Sequence, residues 1–409
     1  MFKDPFKDST IVVALKPQSS VDQVGAKTML KRHRSRENQT KKRLCLSLEF
    51  LPHDLVELIL QRLPVKPLLR FKSVSKNWKS TIESQRFQEG NLICSRQALG
   101  PDVLLMSLCE KGDAGLSGHA RTVMFSLATA SKVRFPFSGS MFCYGHCDGL
   151  VCFYCVYAPS FVMNPATKWH RSFPLSGYQQ LVIERYNRLY FKFISFKLGL
   201  GRDKFRGIYK AVWLYSSSEY GLDNVTTCEL FDFSTNAWRY VFPASPYRIS
   251  AYNRPVYLDG SLYWLTECKE TKVLSFDVHT ETFQVLCKAP FGHLSNPCNQ
   301  TICILNDRLC VSLKNWPMQV IWSFDSSGGS NTWKKMCSID LTKTFPWFRK
   351  PEFALLPIAV REKKWLLLQG RDFLDPVVIY NLHSKSYRLF YKPREPVGPV
   401  YYLQSLFSA

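Results

Sequence analysis

The feature that most constrains this chain is a hairpin signal that returns at near-regular intervals. An apolar strand ends in Asp or Asn, a few small or polar residues follow, usually with Thr or Ser, and then an aromatic. The copies read VMNPATKWHRSF around Asn164, LFDFSTNAWRYV around Asp232, SFDVHTETFQVL around Asp277 and IYNLHSKSYRLF around Asn381. WSFDSSGGSNTWKKM around Asp325 is a longer-looped variant, and FSLATASKVRF near Thr129 is a weaker copy. In such a turn the Asx side chain bonds the backbone two residues on, and the aromatic returns to the core.

A second signal lies upstream of most copies: a polar turn, then an alternating apolar strand. It is seen in CDGLVCF at Asp148, LDGSLYWL at Asp259, LNDRLCVSL at Asp307 and REKKWLLL at Glu362. The third unit replaces it with RDKFRGIYKAVWLY. The Asx anchors Asp232, Asp277, Asp325 and Asn381 are 45, 48 and 56 residues apart, while Asn164 and Asp232 are 68 apart. A period of about 50 with four strands is the spacing of a propeller blade. The pattern predicts a β-propeller or propeller-like domain of about six units over residues 98–395, followed by a short segment, 396–409. A two-sheet β-sandwich with irregular strands is the competing architecture.

The chain has 409 residues, of which 46% are hydrophobic and 14% aromatic. That suits two or three folded units with large cores. Lys and Arg number 54 against 32 acids, a net charge of +22. The surplus fits nucleic acid, an anionic surface or an acidic protein partner. Residues 1–46 lack periodicity and read as a flexible basic tail. Its clusters Lys31–Arg36 and Lys41–Arg43 fit a nuclear-import signal or a solvated tail. The apolar run Ile11–Leu15 is too short for a secretory signal, and no stretch is apolar enough to span a membrane. The 14 cysteines are then expected as free thiols in a reducing compartment. The expected locations are nucleus and cytoplasm.

Residues 47–90 have helical period. Leu55, Leu58, Ile59 and Leu63 form an apolar stripe at i, i+3, i+4 and i+8. Pro52 suits a helix start, Pro64 ends that helix, Pro67 can open a second, and Ser75 can cap a third bearing Trp78 and Ile82. Three such short helices carry more apolar surface than they can bury among themselves, so part of it is expected to face a partner.

The run LPHDLVELILQRLPVKPLLRFKSVSKNWKSTI resembles the F-box pattern almost position for position. CDGLVCF, NPATKWHRSFP, YKAVWLY, DGSLYWL and LSFDVHTETFQVL resemble the F-box-associated, kelch-like domain of plant F-box proteins. The resemblance implies a mostly β protein with a small N-terminal α module, a three-helix F-box. It implies a plant source and a non-catalytic subunit of a cullin-RING ubiquitin ligase. The F-box would dock on a Skp-type adaptor, and through it on cullin and RING subunits, while the β domain binds a target protein for ubiquitination. The adaptor contacts it implies are Leu51, Pro52, Leu55, Ile59, Leu63, Pro64, Val65, Leu68, Leu69, Phe71, Val74 and Trp78, with Lys66 and Arg70 at the rim. Phe71 and Trp78 read as more core than interface. His53 stands where an acid is common and Pro67 where Ser is common.

Motifs for catalysis or nucleotide binding are absent: no HExxH, GxSxG, Walker loop or GxGxxG. No catalytic residue and no cofactor are expected. Cys143, His146, Cys147, Cys152 and Cys155 invite a zinc reading, but period-2 strands send Cys152 and Cys155 to opposite faces. Buried structural thiols are the expectation, with no metal. The alternative function is a basic nucleic-acid-binding β-propeller, using the tail and the aromatic, basic stretch Arg185–Arg206. No RNA-binding motif supports it, so nucleic acid is not expected as a partner.

Overall fold

The structure is a computed structural model. It describes residues 52–98, 102–107, 122–126, 132–135, 142–185, 198–292, 296–326, 331–349, 351–372, 374–393 and 397–409. The chain divides into two units, Met1–Val56 and Glu57–Ala409. Of the first, the described residues are 52–56, so the basic tail lies outside the described residues.

Among the described residues, four helices come first. In α1 (His53–Gln61) the Pro52 carbonyl accepts the N–H groups of Leu55 and Val56. Helix α2 (Val65–Phe71) follows Pro64, and α3 (Lys76–Glu83) is capped by Ser75, whose hydroxyl accepts the Trp78 N–H at 3.1 Å. Pro67 does not open the second helix. It is the third residue of α2, inside a first turn whose N–H groups have no intrahelical partner, so a proline fits there.

Helix α4 (Gln85–Ala98) continues past residue 90, where the sequence pattern placed the module's end. Its buried residues Phe87, Asn91, Leu92 and Ser95 lie at i, i+4, i+5 and i+8. Two of the four are polar, which hides the stripe from a hydrophobicity reading. Asn91 is fully buried and donates to the carbonyls of Gln61 and Leu63 at 2.8 and 2.9 Å. These orphan carbonyls at the end of α1 are thereby satisfied.

Beyond these helices, the strands among the described residues form six four-stranded antiparallel sheets. Five are each built from four consecutive strands. The remaining one joins β1 (Asp102–Ser107), β2 (Thr122–Ser126) and β3 (Lys132–Phe135) to the last strand, β24 (Val397–Tyr402). The pairing of β24 with β1 runs from Asp102 opposite Tyr402 to Ser107 opposite Val397. Residues 397–402 thus belong to the β domain rather than to a separate C-terminal segment.

Each sheet contributes one inner strand: β4 (Phe142–Cys147), β8 (Leu198–Arg202), β12 (Val256–Leu258), β16 (Gln300–Leu305), β20 (Leu356–Arg361) and β24. Each adjoins the next, and β24 returns to β4, which closes a ring. A closed ring of radial sheets is a β-propeller and rules out the two-sheet sandwich.

The two recurrent signals are the two hairpins of each sheet. At the Asx turns, Asn164, Asp232, Asp277 and Asn381 each accept the N–H two residues on, at 2.8–2.9 Å. The turns end on Lys168, Asn236, Glu281 and Lys385 at positive φ. The upstream turns have consecutive positive-φ pairs: Asp148–Gly149, Asp259–Gly260, Asn306–Asp307 and Glu362–Lys363. That is the two-residue hairpin geometry whose twist matches paired strands. The third unit instead uses Asp203, whose carboxylate accepts the N–H groups of Phe205 and Arg206.

The repeat aromatics lock neighbouring sheets. Trp238 donates to Pro174 O and Trp333 to Lys288 O, both at 2.8 Å, and Tyr387 to Asp340 O at 2.5 Å. In each case the acceptor lies at the exit of the preceding sheet. The repeat therefore encodes blade packing as well as turn shape. Lys210, 2% exposed, adds a charged lock: its ammonium binds Val278 O and the Glu281 carboxylate of the next sheet at 2.8 and 2.7 Å.

Candidate functional site

Within the second unit the helices bury Val65, Leu68, Ile82 and Phe87 completely. They leave large apolar side chains in solvent: Leu58 is 47% exposed, Ile59 52% and Val74 59%. In the first unit Pro52 and Leu55 are exposed, and Leu51 lies outside the described residues. Pro64 is exposed, while Leu63, Leu69, Phe71 and Trp78 are half-buried. Phe71 and Trp78 pack edge to face with centroids 5.6 Å apart.

Two expected contacts need correction. Val65 and Leu68 are fully buried within the chain, so they offer no exposed surface for docking. Leu58, which the resemblance did not single out as a contact, is as exposed as Leu55. Its place in the i, i+3, i+4 stripe was the available signal.

A second feature lies where α4 meets one end of the propeller. Glu89, Leu92, Ile93 and Arg96 of α4 face the turns at Asp148, Lys204, Asp259 and Asp307 across a cavity of about 380 Å³. An ionic chain crosses it. Glu89 meets Arg202 at 2.8 Å, Arg202 meets Asp148 at 3.9 Å, Asp148 meets Arg96 at 3.4 Å, and Arg96 meets Asp307 at 3.9 Å.

Arg202 closes the inner strand β8, and its guanidinium also lies over the Phe407 ring at 4.3 Å. The C-terminal segment that supplies Phe407 is held by Asn164. That side chain donates to the carbonyls of Ser405 and Phe407 at 2.9 Å each.

The electrostatics of this cavity are structural. Burial raises the Asp148 carboxyl against the pull of Arg96 and Arg202. Burial also raises Glu89, but hydrogen bonds from Gln85 and Arg202 outweigh it, so its pKa is lowered. Burial pushes His146 down to about 4, leaving a neutral ring. It drives the Cys147 thiol well up, the opposite of an activated nucleophile.

Cys147 and Cys152 are buried free thiols, and the side chains of Cys143 and Cys155 are outside the described ones. Among the described residues no group of His, Cys, Asp and Glu is arranged to hold a metal ion. Most of the aromatic, basic stretch, residues 186–197, is likewise outside the described residues. Of its described cations, Arg202 and Lys204 are paired with Glu89, Asp148 and Asp259.

Both the helical region and the β domain are similar to known proteins. The model of the F-box-associated β-propeller domain matches residues 125–387, and that of the F-box domain matches residues 48–89. The chain belongs to the F-box-associated β-propeller family. An F-box protein of Arabidopsis thaliana is 56% identical over 301 residues, covering 73% of this chain and 95% of the relative. A protein named F-box/LRR-repeat/kelch-repeat, from the same plant, is 46% identical over 388 residues, 90% of this chain and 99% of its own. A third Arabidopsis F-box protein is 44% identical over 393 residues, 88% of this chain and all of its own.

The F-box match ends at residue 89, inside α4. One helix therefore belongs in part to the F-box and in part to the cavity over the propeller. Its continuity, with the ionic chain at its far end, ties the F-box helices of the second unit to the β domain.

Proposed function

We propose that this protein is the substrate-recognition subunit of an SCF-type cullin-RING ubiquitin ligase from a plant. The observation that carries the reading is the F-box match together with the side chains its helices leave in solvent. Val65, Leu68 and Ile82 fill the interior, while Leu58, Ile59 and Val74 stand exposed, as a helical docking surface requires.

The contact set is then Ile59, Leu63, Pro64, Leu69 and Val74, with Leu58 added and with Phe71 and Trp78 as half-buried supports. The family resemblance adds Leu51, Pro52 and Leu55 of the preceding unit. The docked partner would be a Skp-type adaptor, carrying cullin and RING subunits. The protein itself performs no chemistry. It holds a target near the charged conjugating enzyme and so raises its effective concentration.

The test is co-expression with a plant Skp-type adaptor, cullin and RING subunit, followed by purification on a tag carried by this chain. The expected result is one complex holding all four. A folded chain that elutes alone counts against the reading. The proposed locations are nucleus and cytoplasm. A fluorescent fusion lacking residues 27–43 should lose nuclear signal, and an unchanged distribution would remove the import role of the tail.

A further inference from the structure

The two ends of the propeller differ in what they leave uncovered. The two recurrent hairpin turns of each sheet point to the end that α4 and the C-terminal segment occupy. The remaining connections emerge at the other end. Among the described residues, most of the exposed large apolar side chains outside the helical module lie on those connections or at their edges. They include Phe242 at 73%, Trp316 at 51%, Val225 at 49% and Tyr252 at 37%.

Arg371 sits among them, on the connection between β21 (Trp365–Gln369) and β22 (Val377–Asn381). Its guanidinium donates to Tyr252 O at 2.8 Å and Gln300 O at 2.7 Å. Gln300 opens inner strand β16 and lies opposite Leu313, next to Lys314. The Lys314 ammonium lies over the Trp316 ring and is held by the Pro351 carbonyl. Tyr252, Arg371 and Gln300 are therefore linked directly, while Lys314 and Trp316 lie at the end of the strand paired with Gln300 and on the connection that follows it.

Hydrogen-bonding capacity in this patch is left unused. Arg371 Nε and Gln300 Oε1 are buried without a hydrogen-bond partner, and the bond from Arg371 Nη1 to Tyr252 O lies at the surface, so Nη1 is the nitrogen an incoming acceptor reaches. Arg371 has no carboxylate partner among the described residues, and burial pulls its pKa down to about 10, with Cys298 opposing the shift and Arg254 adding a little to it. The guanidinium is thus a largely desolvated cation beside Tyr252, whose side chain is exposed. A carboxylate from outside would neutralise it, and the aromatics would cover the chain that carries it.

We infer that this end of the propeller docks an acidic, apolar segment of a target protein, with Arg371 receiving a carboxylate and Tyr252 and Trp316 flanking it. The inference rests on the proposed function for the word target, and it names the target's chemistry. A protein segment is favoured over nucleic acid because Asp223, Glu267, Glu270 and Glu352 lie on connections of the same end. A continuous phosphate backbone would meet these carboxylates, whereas a single acidic side chain need not.

The test is selection of short random peptides, displayed on phage, on the purified full chain. Selection on Arg371→Gln and on a Tyr252→Ala, Trp316→Ala double variant runs in parallel. The double variant changes only side chains that solvent already reaches, so it serves if Arg371→Gln fails to fold. Peptides enriched on the wild type should carry Asp or Glu beside aliphatic or aromatic residues. They should bind both variants about tenfold more weakly or worse. An enriched pool without acidic bias, no enrichment, or equal binding to the folded variants would overturn the inference. So would a random RNA pool that binds in an Arg371-dependent way, which would make nucleic acid the occupant. If acidic peptides bind while no Skp-type adaptor co-purifies, the docking surface stands and the ligase reading fails.

Discussion

Arg202→Ala tests whether the ionic chain fixes α4 over the propeller. The guanidinium is 7% exposed, bonds Glu89 at 2.8 Å, faces Asp148 at 3.9 Å and covers Phe407. A hydrogen bond between charged groups contributes roughly 1.5–3 kcal/mol. The Glu89 side chain is 38% exposed, so solvent screening places that bond at the low end. The desolvated cation–π contact adds about 1–2 kcal/mol. Asp148, whose side chain is 13% exposed, would keep Arg96 and the more distant Lys204, a loss of about 1 kcal/mol more.

The sum is about 4 kcal/mol. It should appear as a lower urea midpoint and as amide exchange in α4 faster by at least about a hundredfold. Lysine at 202 should restore little, because it cannot reach two carboxylates and stack at once. A loss below about 1 kcal/mol, with α4 protection unchanged, would show that the helix is held by its apolar contacts and that the ionic chain is incidental.

Other outcomes follow from the inter-sheet contacts. Glu281→Ala leaves the buried Lys210 ammonium with one carbonyl and the nearby charge of Asp232 and should cost about 3 kcal/mol in stability, read from denaturation. Adding Lys210→Met should recover much of that loss. The same pair sets a pH dependence. Burial raises the Glu281 carboxyl, but Arg239 and Lys210 outweigh it and hold its pKa below the ordinary 4.5. Its stabilisation is therefore full above pH 4.5 and lost as pH falls through the lower folded value. The gap between wild type and Glu281→Ala, followed by denaturation at stepped pH, should narrow below about pH 4.5. Gly149→Ala places a methyl at φ +84° against the Leu403 carbonyl and the Ser405 hydroxyl. It should cost about 1–3 kcal/mol and loosen the C-terminal segment, seen as faster exchange over residues 403–409.

Much of the fold was legible because its repeat is local. An Asx residue bonds the backbone two positions on, and a DG or ND pair sets the tight hairpin, so both turns announce themselves in short windows. Ring closure was not legible. The pairing of β24 with β1 joins residues about 300 apart, and nothing in VGPVYY names its partner. Helix α4 was missed because its buried face includes Asn91 and Ser95, polar residues whose burial depends on carbonyls of α1 and on contacts elsewhere. The docking residues were half legible. Periodicity finds the stripe of α1, but burial separates Val65 and Leu68 from Leu58 and Ile59, and burial depends on how the helices cross. The charged cavity unites α4 with turns from different sheets and has no signature in any one window.

The most direct measurement of the central claim is a calorimetric titration of a plant Skp-type adaptor into the purified chain, beside a Leu58→Asp, Ile59→Asp variant. Both positions are exposed, so the variant should fold. Burying two such side chains contributes about 2–4 kcal/mol to docking, so the variant should bind at least about thirtyfold more weakly. The account predicts one-to-one binding by the wild type and that loss in the variant. Equal binding by both, or no binding by a folded wild-type chain, would contradict it.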